Sequence, residues 1–252
     1  MSAPSAASAP ATPPQGPHRG VLSVIVPAYN EDRTIDLILE RILAVPLVGQ
    51  VVVVDDGSSD ETAVCLAKWK DRPEVVVCQH PQNRGKGAAI RTGLSRADRD
   101  YVIIQDADLE YDPQDYPALL APLLAGTVDV VYGSRYHAVQ TQGFRGRLIA
   151  TGGIAVINSL VRWLYGVRLT DEATCYKVFR RRDLDRMELV CDGFEFCPEV
   201  TAKAARMGLS IVEVPIHYSP RTVAEGKKIR LRDGWTAIKA LWRWRRWRPE
   251  RQ

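Results

Sequence analysis

Short apolar runs alternate with helical patterns through the first 105 residues of the 252-residue chain. The predicted strands are Val21 to Val26, Val51 to Val54, Val75 to Cys78 and Tyr101 to Gln105. The predicted helices between them are Glu31 to Ala44, Glu61 to Lys70 and Gly87 to Ala97. Strands that are apolar on both faces are typical of a sheet covered on both sides, so the alternation predicts an α/β fold with a mostly parallel sheet flanked by helices. Ligands of such sheets bind beyond the carboxyl ends of the strands.

The pattern loosens after a fifth predicted strand, Val128 to Tyr132. There follow a predicted loop (Gly133 to Arg147), a helix (Leu148 to Tyr165), a mixed connection (Thr170 to Arg180), a helix (Asp192 to Met207) and a short strand (Leu209 to Val214). Because no internal repeat or linker interrupts this region, we expect one catalytic domain over residues 21–218. Residues 1–20 contain five Ala, three Ser and five Pro and predict a disordered tail.

The net charge of +4 is concentrated at the C-terminus. Residues 219–252 hold eleven Lys or Arg against three acidic residues, a local balance of +8, so residues 1–218 carry −4. Trp235 to Trp247 contains four of the six tryptophans, interleaved with basic residues. This composition is typical of an amphipathic helix that lies on an anionic membrane surface. Packing of these tryptophans on the protein body is the alternative. No RNA-binding signature accompanies them, so we expect no nucleic-acid partner.

The length of the apolar runs and the spacing of the cysteines indicate the cellular location of the protein. No apolar run reaches the roughly 18 residues that a membrane-spanning helix needs, so we expect a peripheral protein. The five cysteines are odd in number, lack a C-x-x-C spacing and show no metal-ligand pattern with the four histidines. These features predict reduced thiols and a cytoplasmic protein at the inner face of the membrane.

Asp106-Ala107-Asp108 follows the predicted strand Tyr101 to Gln105 directly, with Glu110 two residues further on. Two carboxylates at a strand end can converge on Mg²⁺ or Mn²⁺, hard cations that prefer oxygen ligands and leave positions free for phosphate. A diphosphate bridged by such an ion is a better leaving group. An ordinary turn is the alternative interpretation of this triplet.

Polar residues also follow the other predicted strands. Tyr29 offers a flat face for a nucleobase and Glu31 a hydrogen-bond acceptor, although Asn30 between them can also be a helix N-cap. One carboxylate of Asp55-Asp56, at the end of the second predicted strand, can accept hydrogen bonds from a base or ribose, or the pair can belong to a capped turn. In Asn83 to Gly87 the glycines allow close backbone approach and the cations suit phosphate, but the spacing is not that of a P-loop.

These motifs occur together in one order along the chain. The chain resembles the inverting glycosyltransferases of family 2, which have a GT-A fold, through V-I-V-P-A-Y-N-E at 24–31, V-V-D-D-G-S-S-D at 53–60, N-R-G-K-G at 83–87 and Q-D-A-D-L-E at 105–110. Within that family it is most similar to the dolichyl- and polyprenyl-phosphate mannose and glucose synthases. The supporting runs are Y-G-S-R-Y at 132–136, L-T-D-E-A-T-C-Y-K-V-F at 169–179, F-E-F at 194–196 and P-R-T-V-A-E-G-K-K at 220–228.

The resemblance implies roles for individual residues. The nucleotide-sugar site implied is Pro27, Tyr29, Glu31, Asp56, Lys86, Asp106, Arg221 and Lys227 or Lys228. The metal ligands implied are Asp106 and Asp108, with Glu110 as a third. Arg135 matches an acceptor-side arginine, and Arg147, four residues before Thr151, matches an arginine that receives the lipid phosphate. The catalytic set expected is therefore Asp108, Arg135, Arg147 and Asp171.

The function that the resemblance implies is transfer of a hexose, with inversion, from GDP-mannose or UDP-glucose to polyprenyl phosphate at the cytosolic membrane face. A phosphate acceptor is already charged near neutral pH, so arginines that orient it replace a general base. The alternative is a soluble hexosyltransferase with a hydroxyl acceptor, which requires a base such as Asp171 or Glu172. Asp171 can instead cap a helix. A non-catalytic membrane-associated binding protein is a third hypothesis.

Overall fold

The computed structural model describes residues 20–136, 144–221 and 231–249, and for residues 144–152 and 231–233 the backbone alone. The described strands are β1 (Leu22–Ala28), β2 (Val48–Asp55), β3 (Val75–Gln79), β4 (Tyr101–Ile104), β5 (Val130–Ser134), β6 (Lys177–Arg180) and β7 (Ile211–Pro215). They form one sheet in the order β3-β2-β1-β4-β6-β5-β7. Every pairing among these described strands is parallel except those of β6, which confirms the predicted α/β fold.

Helices cover the sheet. The described α-helices are α1 (Ile35–Leu43), α2 (Thr62–Ala67), α3 (Lys86–Leu94), α4 (Tyr116–Leu124), α5 (Phe144–Tyr165), α6 (Arg181–Asp185), α7 (Phe196–Arg206) and α8 (Leu231–Trp244). A 3₁₀ turn, Pro113–Asp115, precedes α4. No helix in the described parts of the chain is both long enough and apolar enough to cross a membrane.

The parallel register brings the predicted site residues to one edge of the sheet. In β1, Val24 pairs with Val51 of β2 on one side and with Ile103 of β4 on the other, and all three side chains are fully buried. Burial of such side chains stabilises the fold by about 1.5–3 kcal/mol each. Because β1 to β4 run in the same direction, the loops that follow them leave from the same edge. We call this the carboxyl edge.

Four segments differ from the sequence predictions, and one of them is the short helix α6, which has no predicted counterpart. The mixed connection predicted for Thr170 to Arg180 contains β6, which is antiparallel to both β4 and β5 and too short to show a period of two. Helix α4 has no counterpart in the predictions; Pro117 lies in its first turn, where proline is tolerated, and Pro122 lies inside it. The loop predicted from Gly133 to Arg147 is regular at both ends, since β5 reaches Ser134 and α5 begins at Phe144.

The C-terminal segment contains the predicted helix, α8. It packs against α7 and α5 and buries Leu241 completely. The hydroxyl of Tyr165 donates a hydrogen bond to the backbone carbonyl of Leu241, which ties α5 to α8. The tryptophans of this segment differ in their surroundings. Trp235 and Trp242 are exposed, whereas the ring of Trp244 lies 4.0 Å from the ammonium of the buried Lys203.

Candidate active site

Ion pairs join residues from four separate parts of the chain at the carboxyl edge. Lys86, the first residue of α3, places Nζ 2.5 Å from Oδ1 of Asp106. Arg221 places Nη2 2.9 Å from Oδ2 of Asp108 and 3.3 Å from Oε1 of Glu31. The structure therefore brings together five of the predicted site residues in a cluster of three carboxylates and two cations.

The charges in this cluster perturb one another. Burial raises the pKa of Asp108 to about 6, and the negative charges of Asp106 and Glu110 act in the same direction against the opposing effect of Arg221. For Lys86, burial disfavours the charged form, but the interaction with Asp106 outweighs it and the pKa is raised well above its usual value. Asp108 is thus a carboxylate that a further positive charge would stabilise.

Glu110 does not join Asp106 and Asp108 as the predicted third metal ligand. Its Oε2 accepts a hydrogen bond from the hydroxyl of Tyr218 at 2.8 Å, and its Oε1 accepts one from the amide of Arg221 at 2.9 Å. The described residues contain no group of three His, Cys, Asp or Glu side chains arranged to hold a metal ion. Both oxygens of Glu110 thus hold the segment that leads to Arg221, which leaves Asp106 and Asp108 as the candidate metal ligands.

The turn from Asp106 to Glu110, which we call the acidic turn, has an unusual backbone. Leu109, between Asp108 and Glu110, has φ of 63°, a left-handed conformation that costs a non-glycine residue about 1–2 kcal/mol. The amide of Glu110 donates to Oδ1 of Asp108 at 3.2 Å. Strain of this kind persists where surrounding contacts hold the backbone in place, and it is common at functional sites.

Asp56 is buried and holds the turn before α3. It accepts hydrogen bonds from the amides of Arg84 at 3.0 Å and Gly85 at 2.7 Å, and Nδ1 of His80 lies 2.6 Å from its Oδ1. His80 in turn places Nε2 2.9 Å from Oγ1 of Thr92 on α3. Sequence reasoning missed His80, although its position directly after β3, at the carboxyl edge, was a usable signal.

The loop after β1 contacts the loop after β2. Asn30 has φ of 54°, donates its amide to Oγ of Ser58 at 2.9 Å, and accepts the amide of Ser59 at 2.8 Å through Oδ1. It is therefore not a helix N-cap, because α1 begins only at Ile35 and the residue that precedes this helix is Thr34.

Two predicted nucleotide contacts stand at the end of β1, and an open cleft lies at the ends of β2 and β3. Pro27 lies in the strand opposite Val54, and Tyr29 follows the strand with 36% of its surface exposed. The cleft, of about 310 Å³, lies at the ends of β2 and β3 and is lined by Gly57, Ser58, Gln79, His80 and Pro81. An exposed ring and a polar cleft at neighbouring strand ends are the kind of surface that a nucleoside requires.

Arg135 and Asp171 form a second buried unit. Nε and Nη2 of Arg135 each donate to one oxygen of Asp171 at 2.7 Å, and the amide of Arg135 adds a third bond at 3.0 Å. The guanidinium lies 5.2 Å from the ring centre of Tyr218, whose hydroxyl binds Glu110, so this unit adjoins the acidic turn. Burial opposes ionisation of Asp171, but Arg135 outweighs it and the pKa of Asp171 is lowered.

Glu172, the other base that the sequence offers, is buried beneath the site. Its Oε1 accepts a hydrogen bond from Oγ1 of Thr201 at 2.9 Å, and Lys177 donates to its backbone carbonyl at 2.5 Å. Burial raises the pKa of Glu172, against the opposing charge of Lys177. Its side chain is only 1% exposed, so a substrate hydroxyl has no access to it.

The side chains of three predicted basic residues lie outside the described parts of the structure. Arg147 and Thr151 lie in the part of α5, residues 144–152, for which the backbone alone is described. Lys227 and its alternative Lys228 lie outside the described residues.

Sequence comparison finds known proteins that are similar to this chain. The chain is 30% identical to the low-salt glycan biosynthesis hexosyltransferase Agl6 of Haloferax volcanii, over 87% of this chain and 52% of that protein. It is 31% identical to an undecaprenyl-phosphate 4-deoxy-4-formamido-L-arabinose transferase of Enterobacter sp. strain 638, over 82% and 62%. The chain thus spans between half and two thirds of the length of these two relatives. It is 32% identical to the polyprenol monophosphomannose synthase of Mycolicibacterium smegmatis, over 81% and 79%.

The solved structures that resemble the chain share its fold. Glucosyl-3-phosphoglycerate synthase from Mycobacterium tuberculosis, in complex with phosphoglyceric acid, superposes with a TM-score of 0.67 at 23% identity, over 90% of this chain and 80% of that one. This similarity shows a GT-A fold. The family model described as "Glycosyl transferase family 2" matches residues 23–187, more than half of the chain. The chain therefore belongs to glycosyl transferase family 2.

Proposed function

We propose that the chain transfers a hexose, mannose or glucose, with inversion from GDP-mannose or UDP-glucose to a polyprenyl phosphate. The names of the relatives support the acceptor class: a polyprenol monophosphomannose synthase, an undecaprenyl-phosphate transferase, and a dolichol-phosphate mannosyltransferase of Pyrococcus furiosus that is 28% identical over 82% of this chain. The mannosyl relatives favour a mannose donor, and the name of the solved glucosyl-3-phosphoglycerate synthase keeps glucose as the second choice.

The observation that carries the proposal is the state of the two carboxylates that the sequence offers as bases. Asp171 has both oxygens bound by Arg135, with its pKa lowered, and Glu172 is buried beneath the site. A hydroxyl acceptor must lose a proton as it attacks, whereas a phosphate, with a second pKa of about 6, attacks as an anion. Arg135 beside the acidic turn suits the orientation of such an anion.

The donor fits the cluster at the carboxyl edge. Tyr29 and the cleft at the ends of β2 and β3 would receive the nucleoside, and Pro27 and Asp56 are proposed as further contacts. Lys86 and Arg221 would neutralise the diphosphate, as paired cations do in phosphate sites, and Lys227 is proposed to add to them. In the reaction a phosphate oxygen of the acceptor bonds to the anomeric carbon. The bond from that carbon to the diphosphate breaks, and the nucleoside diphosphate leaves with the electron pair.

Asp106 and Asp108 fit a divalent cation. Mg²⁺ is commonly held by one or two carboxylates together with substrate phosphates, and these two side chains provide that donor set. The raised pKa of Asp108 reflects its burial first and the nearby charges of Asp106 and Glu110 second, and a bound cation would oppose both effects. The bound Mg²⁺ or Mn²⁺ would supply charge neutralisation for the leaving diphosphate. Crystals of the solved synthase with UDP and Mn²⁺ or Mg²⁺ support use of such an ion in this fold.

The C-terminal helix would meet the membrane that contains the acceptor. Trp163 on α5 stacks on Trp242 of α8, with ring centres 6.2 Å apart, and they are 71% and 47% exposed. Trp235 is 68% exposed on the same helix. Together with Arg245, whose guanidinium lies 4.2 Å from the ring centre of Trp242, these rings form what we call the tryptophan surface. Aromatic rings among arginines suit the interface of an anionic bilayer, and we place this surface at the cytosolic face.

A radiolabel assay tests the proposed function. The protein is incubated with Mn²⁺, polyprenyl phosphate and either GDP-[¹⁴C]mannose or UDP-[¹⁴C]glucose, and label that extracts into chloroform is measured. We expect transfer with one donor and loss of transfer in Asp108→Asn. Absence of an extractable product with both donors, in protein that binds neither nucleotide, would refute the proposal.

A further inference from the structure

Lys203 is a buried cation outside the donor cluster, our name for the charged group at the carboxyl edge formed by Glu31, Lys86, Asp106, Asp108 and Arg221. It lies on α7, is 1% exposed, and donates from Nζ to Oε1 of Glu199 at 2.7 Å and to the carbonyl of Glu188 at 2.9 Å. The same ammonium lies 4.0 Å from the ring centre of Trp244 and 5.2 Å from that of Trp247. One buried charge therefore joins α7, the loop that follows α6 and the C-terminal end of α8.

Glu199 extends this contact to the loop. Its carboxylate is fully buried and accepts the amides of Val190 at 3.0 Å and Cys191 at 2.8 Å. A buried ion pair is a weak source of stability, because desolvation of both charges offsets their attraction. The hydrogen bonds of Lys203 and Glu199 instead fix the backbone of the loop formed by residues 188–192. Removal of Lys203 would leave Glu199 as an uncompensated buried charge beneath that loop.

The loop lies directly against the first turn of α3. The carbonyl of Asp192 accepts the amide of Ala88 at 3.1 Å. A methyl group at Gly85 would lie 2.4 Å from the carbonyl oxygen of Asp192, and one at Gly87 would lie 2.4 Å from that of Cys191. Backbones this close have no room for independent movement, so a shift of the loop also shifts the start of α3.

The start of α3 contributes Lys86 to the donor cluster. Lys86 is the first residue of this helix and contacts Asp106 at 2.5 Å, and the amide of Gly85 donates to Asp56. We propose that Lys203 is a positioning residue for the donor site: seated between Trp244 and Glu199, it sets the place of Lys86 against Asp106. The proposal rests on the proposed function in one respect, the binding of a nucleoside diphosphate by Lys86 and Asp106.

Nucleotide binding and hydrogen exchange test this proposal together. Titration calorimetry with UDP and with GDP, in the presence of Mn²⁺, is compared for the wild type, Lys203→Met, Lys203→Arg and Trp244→Leu. The control is Lys68→Met, which removes a lysine paired with Asp36 on an exposed surface. We expect Lys203→Met and Trp244→Leu to weaken nucleotide binding by about fivefold or more, Lys203→Arg to restore part of it, and the control to leave it unchanged.

Hydrogen exchange without nucleotide separates positioning from general destabilisation. We expect faster exchange at the amides of Cys191 and Ala88 in Lys203→Met, with the central strands unchanged. Folded Lys203→Met with wild-type nucleotide affinity and unchanged exchange at Ala88 would overturn the proposal. If that variant does not fold, Trp244→Leu decides by the same criteria. If the wild type binds neither nucleotide, the proposed function fails, and exchange at Ala88 alone decides whether Lys203 positions α3.

Discussion

Arg135 and Asp171 are joined by two parallel hydrogen bonds of 2.7 Å, one to each oxygen of the carboxylate. This fork geometry fixes the plane of the guanidinium and uses the carboxylate to hold it. Asp171, which the sequence offers as a general base, holds the guanidinium of Arg135 in place in the structure. The distinction decides between a phosphate and a hydroxyl acceptor.

Substitution of Asp171 by asparagine tests that distinction. We expect Asp171→Asn to lower kcat/KM with polyprenyl phosphate by about 100-fold, mainly through the acceptor KM, because Arg135 loses its orientation. The acidic limb of the kcat profile against pH stays in place. The control is Asp185→Asn, which removes a largely exposed partner of Arg181. A loss that falls mainly on kcat, with no acidic limb in the activity that remains, would instead identify Asp171 as a base.

The second prediction is that two carboxylates, those of Asp106 and Asp108, hold the metal. We expect Asp106→Asn and Asp108→Asn each to weaken Mn²⁺ binding, measured calorimetrically with the nucleotide present, by about 1.5–3 kcal/mol. Glu110→Gln changes Mn²⁺ affinity by less than about 0.5 kcal/mol, because Glu110 is bound to Tyr218 and the Arg221 amide. An equal loss in all three variants would restore the three-ligand set.

Gly85 provides a prediction for the turn before α3. It has φ of 102°, and an added methyl group would lie 2.4 Å from the carbonyl of Asp192. The matched control is Gly126→Ala, at φ of 68° with no neighbour within 4 Å, where we expect only the backbone cost of about 1–2 kcal/mol in unfolding free energy. We expect Gly85→Ala to cost about 1–3 kcal/mol more and to weaken nucleotide binding. Equal urea midpoints for the two variants would contradict this packing.

His217 should titrate above its usual range. The hydrogen bond from its ring to Asp115 (Nδ1 to Oδ1, 2.7 Å) raises its pKa above 6.5, aided by the charge of Asp115. Since the folded pKa is raised, the pair contributes stability below pH 6.5 and loses it as pH rises through the folded pKa. For so exposed a histidine the contribution is about 0.5 kcal/mol. An NMR titration checks the pKa, and Asp115→Asn should return it to about 6.5.

The tryptophan surface predicts membrane binding. We expect the double variant Trp163→Ala and Trp242→Ala to reduce co-sedimentation with vesicles that contain phosphatidylglycerol, and salt to weaken binding of the wild type. Val64→Ala, at an exposed apolar position on α2, is the control. Unchanged co-sedimentation of the folded double variant would assign the exposed tryptophans another role.

The sequence predicts the first half of the fold well because its signals are local. Runs such as Val51 to Val54 are apolar throughout, and each is followed by polar residues at the carboxyl edge. Helix α4 was missed because prolines are poor helix formers, and β6 because four residues carry little periodicity.

The pairings within the site could not be predicted. Arg135 and Asp171 are 36 residues apart, and Arg221 and Glu31 are 190 apart, so only the folded sheet brings them together. The same holds for the division of the tryptophans, since their spacing shows two faces of a helix but not which face meets α7.

The choice of acceptor tests the central claim most directly. Transfer of labelled hexose is measured side by side with polyprenyl phosphate and with the free polyprenol of the same chain length, at equal concentration in the same vesicles. The arrangement of Arg135 and Asp171 predicts product with the phosphate and none with the alcohol. Transfer to the alcohol at a comparable rate would contradict the claim that the acceptor is a phosphate that needs no base.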